Sequence, residues 1–260
     1  MGEYIDAGGV RTYCEVTGEG DAVVLIHGGA TTGESWAAQV PALAARYQVF
    51  VPDRRGHGRS PDVDGPATMD GYAADLVEFM TALRLDSAHV IGWSDGGKVA
   101  VRMALSRPDL VRKLVMIGTE LTRAGGTPAN DRLMTTPEGL EQLSAIARSD
   151  YERLSPDGPE HFGVVFAKWT RMWTSIPDIE PSELAHLPMP VLLMQGDDDC
   201  VRIEHNTAVA RAIPDAQLAV IPGGSHAVPL EKPDLVNDLL LDFLTDPQTP
   251  KFMPLGDLNS

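Results

Sequence analysis

The apolar residues of this chain fall into short blocks of two kinds. Val10–Val16 alternates apolar and polar positions, the pattern of a strand with one exposed face. Val23–Ile26, Val49–Val51, Val90–Gly92, Leu114–Ile117, Val191–Met194 and Leu218–Ile221 are brief runs rich in branched side chains, each bounded by turn-forming residues. Such runs suit strands covered on both faces, as in a parallel sheet. Between them the apolar spacing changes to three and four. Met69–Leu85 places Tyr72, Leu76, Phe79, Met80 and Leu83 on one side of a helix. Lys98–Ser106 forms a compact helix ending before Pro108, and Pro233–Leu244 opens on a proline, a favourable first helical residue. Strands alternating with helices predict βαβ units, right-handed crossovers and a mostly parallel sheet with helices on both faces.

One stretch breaks the alternation. From about Glu120 to Leu187 there is no clear strand. Phe162, Phe166, Trp169, Met172 and Trp173 recur there at helical spacing. A stripe of this kind seeks a core, so it packs on the main domain, or roofs a cavity, or does both as the underside of a lid. The expected organisation is one α/β core from residues 1–119 and 188–245, an inserted helical lid over 120–187, and a loosely held tail over 246–260, where three prolines interrupt any periodicity.

Composition narrows the classes of function. The 260 residues hold 37 acids against 21 bases, a net charge of −16. Nucleic-acid binding rests on Lys and Arg neutralising phosphates, and docking on anionic lipid needs the same residues, so both are disfavoured. Cys14 and Cys200 are too few for a disulfide framework and read as free thiols of a reducing compartment. No stretch resembles a signal peptide or approaches the ~20 apolar residues of a membrane span, which leaves a cytoplasmic location as the expectation.

The chemistry concentrates in Val90–Ala100, a predicted strand followed by Gly92-Trp93-Ser94-Asp95-Gly96 and a predicted helix. A strand that turns sharply into a helix forces the central serine into a strained conformation with its hydroxyl exposed above the carboxyl edge of the sheet. Only small residues fit two positions to either side, hence Gly92 and Gly96. The helix N-terminus behind the serine favours developing negative charge. A serine hydroxyl needs a base. Of seven histidines, His226 stands on a loop just after the last predicted strand, at the same sheet edge as Ser94. The others have local readings: His27 shapes a glycine loop, His57 sits in a turn, His89 opens a strand, His161 and His186 lie in the lid, and His205 lies in a predicted helix. The base needs an acid to hold its tautomer. Asp197, Asp198 and Asp199 all follow the Val191–Met194 strand, and Glu120 is a further candidate. His27-Gly28-Gly29-Ala30 follows the Val23–Ile26 strand and can present backbone N–H groups to an oxyanion; Gly29 and Asp95 are the expected donors, with Ala30 an alternative to Gly29.

Taken together, His27-Gly28-Gly29, Asp53-Arg54-Arg55-Gly56-His57-Gly58-Arg59-Ser60, Gly92-Trp93-Ser94-Asp95-Gly96-Gly97, Gly196-Asp197-Asp198-Asp199 and Gly224-Ser225-His226 resemble the α/β-hydrolase superfamily over about Val10 to Leu244. The elbow is similar to that of the valacyclovir hydrolase and biphenyl-hydrolase-like esterases. The resemblance implies the α/β-hydrolase fold. It selects Asp199, three residues after the glycine, as the acid, and Gly29, the residue after His-Gly, as an oxyanion donor. Serine at the nucleophile position departs from haloalkane dehalogenases and epoxide hydrolases, which carry aspartate there.

The expected activity is hydrolysis of a small-molecule carboxylic ester through an acyl-enzyme on Ser94, with no metal and no organic cofactor. Lactone cleavage, C–C bond hydrolysis, a cofactor-free perhydrolase, an amide or peptide substrate and a non-catalytic receptor on the same scaffold are the alternatives, since fold does not fix function. Trp36, Trp93, Phe166, Trp169 and Trp173 are candidate substrate contacts, with buried packing the competing reading for Trp36 and Trp93. The Asp95 carboxylate either faces the pocket, where it would pair with a cationic substrate group, or is a surface or helix N-terminal acid favoured by the helix dipole.

Overall fold

The computed structural model describes residues 2–245, so the expectation for 246–260 lies outside the described residues. Among the described residues there are eight strands: β1 (Gly2–Ala7), β2 (Val10–Thr17), β3 (Ala22–Ile26), β4 (Gln48–Pro52), β5 (Ala88–Trp93), β6 (Val111–Ile117), β7 (Val191–Asp198) and β8 (Ala216–Ser225). They form a single sheet in the order β1-β2-β4-β3-β5-β6-β7-β8, antiparallel at β1/β2 and β2/β4 and parallel from β4 onward. The α-helices are α1 (Val40–Ala44), α2 (Met69–Ala82), α3 (Asp95–Ser106), α4 (Pro128–Thr135), α5 (Pro137–Leu154), α6 (Phe162–Ser175), α7 (Ile203–Ala212), α8 (Val228–Glu231) and α9 (Pro233–Leu244). This is the α/β-hydrolase fold. None of the described helices is long and apolar enough to cross a membrane.

The branched runs are buried on both faces because alternate side chains enter two different cores. Val24, Ile26, Val90, Leu114, Met116 and Leu193 pack with Phe79 and Met80 of α2 and Met103 of α3. Their neighbours Val23, Leu25, Ile91, Val115, Ile117 and Met194 pack with Leu43 of α1 and Leu240 and Phe243 of α9. The unbroken apolar character of β3, β5 and β6 therefore reports a central position in the sheet.

Strand β1 was not expected. It is mostly exposed and lacks apolar alternation, so periodicity could not reveal it. The turn residues Gly8 and Gly9 both have positive φ, 57° and 82°, as a two-residue hairpin linking β1 to β2 requires. Between β6 and β7 the chain is helical, holding α4, α5 and α6, and α6 meets the loops at the carboxyl edge of the sheet through Trp169 on His57 and Trp173 on Asp95.

Two expected substrate contacts are corrected. Trp36 is 0% exposed and sits in the α1/α9 core. Trp93 is buried beside it, ring centroids 6.1 Å apart and edge to face. The Trp93 indole N–H is committed to the His226 carbonyl at 2.9 Å, so it anchors the histidine loop instead of lining a pocket. Trp36→Ala is expected to cost about 3–5 kcal/mol of stability, the range for emptying a large aromatic site, as read from urea unfolding.

Candidate active site

Ser94 is the one residue between the end of β5 and the start of α3. Its φ of 56° and ψ of −121° lie outside the ordinary regions for a residue with a side chain. The conformation is held from the adjacent strand: the Ser94 N–H donates to the Ile117 carbonyl at 2.8 Å, and the Thr119 hydroxyl donates to the Ser94 carbonyl at 3.2 Å. The flanking glycines are compulsory. A Cβ at Gly92 would lie 2.2 Å from the Gly96 carbonyl oxygen, and one at Gly96 would lie 2.1 Å from the Ile26 oxygen.

His226 follows β8, and its Nε2 lies 3.0 Å from Ser94 Oγ. Its Nδ1 lies 2.8 Å from Asp199 Oδ1. The ends of β7 and β8 converge here, since a Cβ at Gly196 would meet the Gly224 carbonyl oxygen at 2.0 Å. Asp197 and Asp198 are exposed, and Asp197 accepts the Gly223 N–H instead. Glu120 is bonded to Lys98 Nζ at 2.7 Å. Asp199 is thus the one of the four acids that meets the histidine. Burial alone would lower the His226 pKa; the Asp199 hydrogen bond, reinforced by Cys200, outweighs it and raises the pKa above the ordinary imidazole value.

The His27–Ala30 loop runs directly against Ser94. A Cβ at Gly28 would be 3.5 Å from Ser94 Cβ. His27 is fully buried, and burial holds its pKa well below the ordinary value, so it is neutral. Its Nε2 accepts the Arg54 N–H at 3.0 Å, which leaves the proton on Nδ1 to be donated to the Gly28 carbonyl at 2.8 Å. A side chain at Gly29 would collide with Asp95 Oδ2, 2.4 Å from its Cβ position, and with the Trp173 ring. Asp95 opens α3, so its N–H has no partner within the helix. Ala30 has φ 57° and packs under the helical insertion.

The Asp95 carboxylate stands at the N-terminus of α3, as one expectation had it, but it is buried and already partnered. Asp95 is 2% exposed, neither a surface acid nor a free one. Its Oδ2 accepts the Trp173 indole N–H at 2.6 Å, and its Oδ1 lies 3.7 Å from Lys98 Nζ. The aromatic stripe of α6 packs down on the core. Trp169 is buried and stacks on His57 with centroids 4.3 Å apart, which corrects its reading as a substrate contact. Phe166 and Trp173 stay partly exposed, 6.3 Å apart.

Three features escaped sequence reasoning. Lys98, one turn into α3, joins Asp95 to Glu120 and faces a cavity of about 80 Å³ that Trp173 and Asp178 also line. Arg54 contacts the Gly28 carbonyl. Cys200 Sγ is 3.3 Å from His226 Nδ1 and opens onto a cleft of about 490 Å³ under α4 and α5. An i, i+3 charge pair on α3 was the available signal for Lys98. Asp199, Cys200 and His226 each offer a metal-ligand atom within 4.8 Å of the others, but a cation there would compete with the bond that orients His226.

Residues 23–239 match the model of the alpha/beta hydrolase family. The human serine hydrolase BPHL is 30% identical, the match covering 91% of this chain and 84% of that protein. The meta-cleavage product hydrolase of Pseudomonas fluorescens superposes with a TM-score of 0.79 at 28% identity, covering 94% of this chain and 97% of the other. An esterase of Thermogutta terrifontis superposes with a TM-score of 0.72 at 26% identity, covering 94% and 98%.

His226 must be neutral to accept a proton from Ser94. Activity toward an activated ester is therefore expected to rise with pH through the His226 pKa, on an acid limb above the ordinary imidazole value of 6.5. Asp199→Asn should cut kcat by about four orders of magnitude and move the residual limb downward. Profiles of kcat/KM against pH for both proteins check this; a wild-type limb at or below 6.5 contradicts it.

Proposed function

The chain belongs to the alpha/beta hydrolase family, and from that premise we propose that it is a serine hydrolase that cleaves a carboxylic ester of a small molecule. The observation that carries this reading is the unbroken relay Ser94 Oγ to His226 Nε2 at 3.0 Å and His226 Nδ1 to Asp199 Oδ1 at 2.8 Å, at the head of α3. His226 Nε2 takes the hydroxyl proton as Ser94 Oγ attacks the carbonyl carbon. The carbonyl electron pair moves onto oxygen, where the Gly29 and Asp95 N–H groups stabilise it; each such donor is worth about 3–4 kcal/mol. Asp199 stabilises the imidazolium. Collapse expels the alcohol, which leaves with the proton from His226. Water then attacks the acyl-enzyme with His226 again as base, and the acid departs from Ser94. His226 moves every proton, so the cycle calls on no cofactor. The two free thiols, Cys14 and Cys200, support a cytoplasmic location.

The likeness to a meta-cleavage product hydrolase favours C–C bond hydrolysis as the second reading. The machinery is shared; the leaving group becomes a stabilised carbanion that must be protonated on carbon. Lactone cleavage is the ester reaction with the leaving alcohol tethered. Phe166, Trp173 and the Lys98–Glu120 pair are the proposed walls of the substrate site.

Wild-type protein is expected to hydrolyse p-nitrophenyl acetate and to be labelled by a fluorophosphonate. Ser94→Ala should abolish labelling and lower kcat/KM by at least about three orders of magnitude. Unlabelled wild-type protein would point to a ligand-binding scaffold. Labelled protein that ignores esters and lactones but cleaves a vinylogous diketone would move the reading to C–C hydrolysis.

A further inference from the structure

Arg54 is 7% exposed, and its guanidinium forms no ion pair among the described residues. Its Cζ lies 4.9 Å from the Tyr72 ring centroid, and Nε and Nη1 find no hydrogen-bond partner there. Burying a cation with so little compensation is costly. The acid that acts on it electrostatically, Asp95, is engaged elsewhere, accepting from Trp173 and lying beside Lys98. Arg54 does make one strong contact: Nη2 donates to the Gly28 carbonyl at 2.7 Å.

That carbonyl is unusually well held. His27 Nδ1 donates to it at 2.8 Å and the Thr31 hydroxyl at 3.1 Å, so three donors converge on one oxygen. The other end of the same planar peptide is the Gly29 N–H. In a trans peptide the C=O and N–H point in opposite directions, so clamping the oxygen sets where the N–H points. A cationic donor on the oxygen also polarises the amide and strengthens its N–H as a donor.

We propose that Arg54 is a positioning residue for the oxyanion hole, fixing and polarising the Gly28–Gly29 peptide so that the Gly29 N–H is held ready for the oxygen that becomes negative. This rests on the serine-hydrolase reading. The substrate carbonyl is close to neutral before attack and carries a full charge in the tetrahedral intermediate. The buried guanidinium, which shares Asp95 with Trp173 and Lys98, therefore gains further negative charge as the reaction proceeds, which is the condition for lowering a barrier instead of tightening substrate binding. Planarity suits the role, because the guanidinium can address the carbonyl while its face lies toward Tyr72.

The test compares wild type, Arg54→Gln, Arg54→Lys and Thr31→Val with p-nitrophenyl acetate and a fluorophosphonate, recording kcat, KM, the phosphonylation rate and Tm. Arg54→Gln should lower kcat roughly 10- to 100-fold, leave KM within about threefold, and slow phosphonylation in parallel, since both reactions place charge in the same hole. Arg54→Lys keeps the charge and should lose less. Thr31→Val removes one neutral donor from the same oxygen and should lower kcat about two- to fivefold. A lower Tm in Arg54→Gln with unchanged kcat and phosphonylation well below that Tm would mean a loop strut and overturn the proposal. Should Arg54→Gln not fold, Thr31→Val decides: unchanged kcat and labelling overturn it. Wild-type protein without Ser94-dependent labelling is a separate result, which sinks the serine-hydrolase reading and this proposal with it.

Discussion

A single backbone conformation organises this molecule. Ser94 alone bridges β5 and α3, and the bridge closes only if that residue takes a positive φ of 56°. Such a conformation costs roughly 1–3 kcal/mol and persists only where its surroundings over-determine it. Here they do. β5 lies in the middle of the sheet with all six residues buried, and α3 is packed against it with nine of its residues buried. The Ile117 carbonyl holds the Ser94 N–H from the neighbouring strand. Carbonyl oxygens of Ile26 and Gly96 fill the places where side chains at Gly96 and Gly92 would go. Sheet, helix and glycine spacing are thus three expressions of one requirement: a hydroxyl presented at the carboxyl edge, within reach of His226.

The remaining chemistry gathers at that edge because every parallel strand ends there. β3 delivers the His27–Ala30 loop, β6 leads to Glu120, β7 to Asp199 and β8 to His226. Loops this close to one another need polar cement, and much of it is charged and buried. Asp53, at the end of β4, accepts the Gly33 N–H at 2.7 Å and the Arg59 N–H at 2.8 Å, tying two loops to one carboxylate. Asp95, Lys98 and Glu120 form a second such chain, and burial alone would make each costly. Because they are paired, removing one member strands the others, so the layer behaves as a unit.

How much of this could be read from the chain differs by physical kind. The strands were legible because branched residues covered on both faces leave an unbroken apolar run. The elbow was legible because close packing demands glycine at fixed offsets. His226 was legible because its place after the last strand puts it at the right edge. Choosing Asp199 from three adjacent aspartates needed the resemblance, since composition treats them alike. Strand β1 was hidden, because an exposed edge hairpin needs no apolar pattern. The particular core that takes Trp36, and the contacts of Cys200 and Arg54, were hidden for another reason. Burial in a particular core, a thiol against an imidazole, or a guanidinium on a carbonyl 26 residues away in sequence is decided by tertiary approach, which leaves no local periodicity.

Asp95 shows most clearly how tertiary approach changes a role. From its position it looked like a spare carboxylate beside the nucleophile. In the fold it is the post on which α6 rests, through the 2.6 Å bond from Trp173, and it is also the atom group that bars any side chain from Gly29. The helical insertion and the His27–Ala30 loop are therefore coupled through one buried carboxylate. The Asp95 carboxylate already accepts the Trp173 indole N–H and lies beside Lys98. Charge-assisted hydrogen bonds of this kind are among the stronger ones in a protein interior. Trp173 therefore ties α6 to the head of α3 while bordering the cavity that Lys98 and Glu120 also line.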